Sequence, residues 1–344
     1  MKVIVCPDSF KGTMNAPTAA RAIRGGVLRA VPDAEVTMLP LGDGGEGTAD
    51  ALVSALRRHQ PVERIVADAL DPLGRPIQAG YYIVGGDTAV IESASASGIT
   101  LVASEERDIM RSDTRGTGML IADAYNRGIR HFQICMGGTA TCDGGAGALA
   151  VMEEAAIRDA DFVLLCDVDN PFIGESGAAA VFGPQKGATP QMIPLLEERM
   201  LALADCFREK GGMDIRDERY AGAAGVLSGM LIACYCSRPV SGIVKVLELL
   251  DFGMNLDGAA LVITGEGRAD ATTLQGKAPS GVLAEAGRKD VPVALIAGAV
   301  SGRDALQKAG FRCVEQATPS GVDPNEDPEH YLSKAAERVM LNIR

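Results

Sequence analysis

Apolar positions along this chain switch between two rhythms. Lys2-Val-Ile-Val-Cys6 is a short, nearly continuous apolar run that stops at Pro7-Asp8, which predicts a buried strand. From about Pro17 to Ala30 the apolar residues Ala20, Ile23, Val27 and Leu28 recur at helical spacing. Glu35 to Leu39 predicts a second strand. Pro40 to Gly47 is a glycine-rich turn, and Thr48 to Arg58 reads as a second helix. This β-α-β-α opening is that of a doubly wound α/β sheet.

From Pro61 to Ile99 the rhythm changes. Short runs (Ile65-Val66, Gly80 to Val84, Ala89 to Ile91) are separated by the turn clusters Asp71 to Gly74 and Gly85 to Asp87. That predicts an antiparallel meander, with a domain boundary before it. A helix at Gly116 to Arg127, a strand at His131 to Met136, a helix at Gly145 to Ala156 and a strand at Phe162 to Cys166 follow. Pro190 to Glu209 and Ile243 to Asp251 read as helices. The β-α rhythm then returns, with strands at Ala259 to Thr264, Val291 to Ala297 and Phe311 to Ala317, and a closing helix from His330. Two β-α blocks around a different middle predict one discontinuous domain, residues 1–60 and 255–344, with a second, 61–254, inserted.

Composition narrows the function classes. The 344 residues are 47 % apolar but only 4 % aromatic, with no Trp and 41 glycines. Small side chains must therefore do the packing, which suits close helix–sheet contacts. The formal charge of −12 is opposite to what a duplex binder needs, and few rings are available to stack on bases, so no nucleic-acid partner is expected. The eight cysteines show no disulfide or zinc spacing and the three histidines are scattered. No signal-peptide pattern follows Met1, and Val226 to Cys236 is too short to span a bilayer, so a cytoplasmic protein without a membrane partner is expected. The sequence leaves a homodimer open.

Acids and glycines fall where strands are predicted to end, the ligand side of an open α/β sheet. Asp8 and Lys11 follow the first strand, and Asp43 and Glu46 the second. Gly265 and Glu266 follow a third. In the middle block, Gly137-Gly-Thr-Ala-Thr-Cys-Asp-Gly-Gly145 and Asp167-Val-Asp-Asn170 do the same. Phosphoryl transfer uses such parts: carboxylates for Mg2+, glycine loops whose N–H groups approach phosphate, a lysine against the transferring charge, and an aspartate as proton acceptor. Asp167, Asp169 and Asn170 suit a metal. Gly137, Gly138, Thr139, Thr141 and Gly144 suit phosphates, with Gly265, Glu266 and Lys277 as further nucleotide contacts. Asp8, Lys11, Asp43 and Asp143 are the catalytic candidates.

Bland readings stand beside these. A glycine-rich turn is often only a turn, since φ > 0 demands glycine. Asp43 and Asp143 can be helix caps. Lysine is exposed by default, so Lys186 and Lys277 read first as solvated. Nucleotide fingerprints fail: Gly265-Glu-Gly267-Arg-Ala-Asp270 has Asp at the third glycine position, and Ala271 to Ala278 lacks the first Gly and the hydroxyl after Lys. The residues alone give an α/β enzyme with a phosphate- and metal-suited site.

Several longer segments resemble the bacterial glycerate kinase family of the first type. They are Pro7-Asp-Ser-Phe-Lys-Gly12, Asp43-Gly-Gly-Glu-Gly-Thr48, Gly137 to Gly147, Cys166-Asp-Val-Asp-Asn-Pro171 and Phe182-Gly-Pro-Gln-Lys-Gly-Ala188. Ala221 to Gly225, Leu261 to Asp270 and Gly276-Lys-Ala-Pro279 complete the series. The resemblance implies a flavodoxin-like domain and an inserted domain like the restriction-endonuclease core. It also implies ATP-dependent phosphorylation of D-glycerate at the 2-hydroxyl with release of ADP. The chain departs from the family pattern at Thr139 and Cys142, where Ser and Asn are usual, and at Gly42, where Ala is usual. The stretch from Gly147 to Cys166 is also shorter than in relatives. Two other readings remain: a kinase of a related small hydroxy acid, and a nucleotide-binding regulator without turnover.

Overall fold

The computed structural model describes residues 1–10, 12–45, 47–57, 59–274 and 276–343. In chain order its strands are β1 Lys2–Pro7, β2 Glu35–Met38, β3 Val62–Leu70, β4 Pro76–Val84, β5 Thr88–Glu92 and β6 His131–Met136. They continue with β7 Asp161–Cys166, β8 Arg238–Ser241, β9 Ala259–Ala269, β10 Val293–Val300 and β11 Cys313–Gln316. The chain divides into two compact units. One is Met1–Asp43, Asp50–Arg58 and Ile243–Arg344, and the other Gly44–Ala49 and His59–Gly242.

The first unit is a five-stranded sheet in the order β11-β10-β9-β1-β2, every pair parallel. Counted within the unit this is 2-1-3-4-5, the flavodoxin-like doubly wound order. The chain leaves β1 toward one edge and returns on its other side at β9, so the topological switch point lies between β1 and β9. Val3, Val5, Leu261, Ile263 and Ile296 are fully buried and pack under the helices Ala16–Ala30 and Pro328–Ile343. Burying each such side chain contributes about 1.5–3 kcal/mol. Asn15 starts the first of these helices, its side chain accepting from the Thr18 N–H at 2.9 Å. The two helices touch at Gly26, where a Cβ would stand 2.1 Å from the Ser333 carbonyl oxygen.

One expectation fails here. β9 does not end at Thr264 but runs on to Ala269, paired with β10 as far as Ala269 opposite Val300. Gly265-Glu266-Gly267 is therefore strand, not a turn after one. The reason is the close approach of β10: a Cβ on Gly265 would lie 2.4 Å from the Ile296 carbonyl oxygen. Glycine serves strand packing at this position.

The second unit is a six-stranded sheet in the order β3-β4-β5-β6-β7-β8. The first three strands form the antiparallel meander, and β5 to β8 are parallel. Phe132 stacks on Phe162 with ring centroids 4.8 Å apart, and Phe172 meets Phe207 edge-on at 6.4 Å. The apolar stretch before Cys236 is a buried helix, Leu227–Tyr235. Among the described residues no helix is long and apolar enough to cross a membrane.

Candidate active site

In the first unit the strands flanking the switch point and the segments after them bring together three buried carboxylates. Asp8 follows β1, and its own N–H donates to the Gly265 carbonyl at 2.8 Å, tying it to β9. The segment after β2 stays on β1, since Leu41 N–H donates to the Pro7 carbonyl at 2.9 Å, and this brings in Asp43. Glu266 comes from β9. Asp8, Asp43 and Glu266 are all below a tenth exposed, and all line one cavity of about 630 Å³ that Lys277 and Arg268 also border. Ser9 lines it too, and its Oγ is buried with no hydrogen-bond partner among the described residues.

Glu266 is held on both oxygens. Thr273 Oγ1 donates to Oε1 at 2.6 Å, and Lys277 Nζ lies 3.7 Å from Oε2. Lys277 in turn donates to Thr272 Oγ1 at 2.9 Å. Burial pushes the Glu266 carboxyl above the ordinary range, against the Thr273 hydrogen bond and Lys277, with the charge of Asp43 adding to the rise. A carboxyl raised in this way suits a site that takes up a proton or a cation.

The glycine loop of the second unit follows β6. Gly137 is pressed between Gly45 and Asp167, where a Cβ would stand 2.5 Å from the Gly45 Cα and 2.9 Å from Asp167 Oδ2. Gly138 adopts φ +72° with its backbone exposed. The loop is fastened by a bridge between Gly98 and Thr139, and by the N–H groups of Ile99 and Ala140, which bond to the Gly138 and Ser97 carbonyls. Lys186 Nζ donates to Thr139 Oγ1 at 3.0 Å and to the Thr141 carbonyl at 2.9 Å. Gly144 and Gly145 complete the turn with φ +71° and +74°.

Asp143 is fully buried and accepts four hydrogen bonds, from Thr114 N–H, Thr114 Oγ1, Gly145 N–H and Gly147 N–H. This is the capping alternative: it closes the start of the helix Ala146–Glu154. Asp169 and Asn170 turn to other partners. Asp169 is exposed and paired with Arg219 at 3.1 Å, and the Asn170 amide donates to the Ser176 carbonyl at 2.7 Å. Among the described residues no group of three His, Cys, Asp or Glu side chains is placed to share a metal ion. Asp167, Asp169 and Asn170 thus do not form a ready-made ligand set.

The structure therefore brings Asp8, Asp43, Glu266 and Lys277 together on one cavity. It brings Gly137, Gly138, Thr139, Thr141, Asp143 and Gly144 together on one loop, with Asp167, after β7, beside Gly137. Lys11 and Glu46 lie outside the described residues. Lys186 corrects the solvated reading: it is 5 % exposed. Its neighbours Pro184, Gln185 and Gly187 are exposed, and the Lys186 side chain alone turns inward, to Thr139 and Thr141. Thr273, the partner of Glu266, carried no signal of its own.

Comparison with known proteins now adds the class. The model of the glycerate kinase family matches residues 3–157 and 151–344. Glycerate kinase from Bacillus subtilis (strain 168) is 38 % identical, covering all of this chain and 98 % of that protein. Glycerate 2-kinase from Escherichia coli (strain K12) is 36 % identical over 88 % of this chain and 86 % of its own. The crystal structure of a glycerate kinase 2 from Salmonella typhimurium LT2 superposes with a TM-score of 0.83 at 34 % identity, covering all of this chain and 98 % of that one. The fold and its relatives define a two-domain α/β phosphotransferase acting on an alcohol group. The chain belongs to the glycerate kinase family.

Proposed function

We propose that this protein phosphorylates D-glycerate at its 2-hydroxyl, using ATP supplied as the magnesium complex and releasing ADP. The observation that carries the reading is the convergence of Asp8, Asp43 and Glu266, with Lys277, on one cavity at the switch point of the first sheet. The names of the relatives support glycerate as acceptor. Asp8 and Asp43 are the groups that orient the hydroxyl and accept its proton. Lys277 offsets carboxylate or phosphoryl charge. The loop Gly137 to Gly145, open at Gly138, binds phosphate oxygens through N–H groups, and Asp167 stands beside Gly137. Asp143 acts by shaping that loop.

The test is a coupled ADP-release assay over a panel of small hydroxy acids, with phosphorus NMR of the product. Turnover with D-glycerate and a 2-phosphoglycerate signal are expected. Asp43→Asn should lower kcat by about 10²–10⁴ while the fold survives. Preference for another acid would favour the related-kinase reading, and ATP binding without ADP formation the regulator. Normal turnover by Asp43→Asn would remove Asp43 from the mechanism.

A further inference from the structure

Lys186 is a buried lysine with no carboxylate oxygen within 4.0 Å among the described residues. Both of its hydrogen-bond acceptors, Thr139 Oγ1 and the Thr141 carbonyl, are neutral oxygens. An ammonium carries three N–H donors, so one remains beyond these two. Among the described residues Lys186 makes no ion pair within 4.0 Å. The groups that act on it from farther away are Cys142, Asp167 and Asp143. Asp143 has its charge spread over four donors of its own. The Cys142 thiol is pushed up to about 11, chiefly by burial, and is neutral at working pH. Burial lowers the Lys186 pKa, as expected for an ammonium poorly matched by its surroundings.

A buried charge is costly unless something compensates it. Two neutral oxygens could be served by a neutral donor, so an ammonium at this place suits a ligand of opposite charge. The place is telling. The two acceptors flank Ala140 directly after Gly137-Gly138, so the ammonium sits behind the one stretch of this loop whose backbone is open at Gly138. Thr141 Oγ1 is buried there without a partner among the described residues. The loop itself contains no basic side chain.

We infer that Lys186 is a positioning residue whose buried ammonium holds Thr139 and Thr141 in place and gives the Gly137–Gly145 loop a positive field for the phosphates of the nucleotide. This rests on the assignment of the phosphates to that loop. A charge behind low-dielectric protein acts over a distance, and its effect grows with the charge of the ligand. A purely structural lysine would weaken all ligands of the loop alike.

The experiment measures dissociation constants of ATP, ADP and AMP, with magnesium, for the full-length wild type and for Lys186→Met, Lys186→Gln and Lys186→Arg. Circular dichroism checks each fold. The glutamine variant keeps an N–H donor without charge, should methionine leave Thr139 and Thr141 too poorly matched to fold. In the neutral variants ATP affinity should fall by about tenfold or more, ADP by less, and AMP least. KM for glycerate should stay unchanged, and arginine should restore most of the ATP affinity. Equal losses for all three nucleotides, or no loss in a folded neutral variant, would overturn the role of Lys186 and leave the kinase reading standing. A wild type that binds no nucleotide would overturn both.

Discussion

Thr114 and Asp143 are joined twice: the Thr114 N–H at 3.0 Å and its hydroxyl at 2.8 Å both donate to Asp143 Oδ2. The same hydroxyl accepts from the Ala148 N–H at 3.0 Å. Thr114 precedes the helix Arg115–Asn126, and Asp143 the helix Ala146–Glu154. One carboxylate thus locks two helix starts to the turn that ends the glycine loop.

Replacing Asp143 by Asn should therefore lower stability before it touches chemistry. The amide keeps one acceptor but presents an N–H to donors that need an oxygen. A loss of about 2–3 kcal/mol is expected, since hydrogen bonds to buried charge are among the stronger ones. Urea unfolding measures it. A variant with wild-type stability and no turnover would return Asp143 to the catalytic group.

Glu266 gives a pH-dependent prediction. Its carboxyl titrates above the ordinary range in the folded protein, chiefly through burial. The folded state therefore holds this proton more tightly than the unfolded chain. Its contribution to stability is full below the ordinary glutamate pKa and is lost as pH rises through the raised value. Glu266→Gln should lack that loss, so its urea midpoint should gain on the wild type between acidic and neutral pH. Parallel midpoints across that window would show that Thr273 and Lys277 fully offset the burial.

Much of this was legible in the chain. The β-α openings at both ends and the meander between them follow from apolar spacing. The acids Asp8 and Asp43 follow from their places after strands. What failed depended on contacts between distant segments. β9 continues through Gly265-Glu266-Gly267 because β10 lies against it, which turn chemistry cannot reveal. Lys186 looks solvated because Pro184-Gln185-Lys186-Gly187 is a polar turn in isolation. Asp169 resembles Asp167 in sequence, yet Arg219, fifty residues on, claims its carboxylate.

Cysteine chemistry separates the buried from the open positions. Cys6, Cys135, Cys142 and Cys166 are buried, whereas Cys206 and Cys236 are exposed. Burial pushes the Cys166 thiol up to about 12 and that of Cys142 to about 11, so neither offers a thiolate near neutral pH. A maleimide reagent on the native protein should label Cys206 and Cys236 first and leave Cys142 untouched, as read by peptide mass spectrometry. Early labelling of Cys142 would mean that the Gly137–Gly145 loop, which carries it, opens in solution.

Gly137→Ala tests the loop by shape alone. The native backbone at Gly137 does not need a positive φ, so alanine brings no conformational strain of its own. Its methyl group would meet the Gly45 Cα at 2.5 Å and Asp167 Oδ2 at 2.9 Å. Backbone at Gly45 cannot give way as a flexible side chain would, so the loop or Asp167 must move. Overpacking of this kind costs about 1–3 kcal/mol. Gly287→Ala, at the end of the helix Ala278–Gly287 with nothing within 4 Å of the added carbon, is the control and should be neutral or slightly stabilising. Because the displaced groups are those proposed to face the nucleotide, Gly137→Ala should raise KM for ATP several-fold beyond any change for glycerate. A stability loss with both KM values unchanged would separate this contact from nucleotide binding.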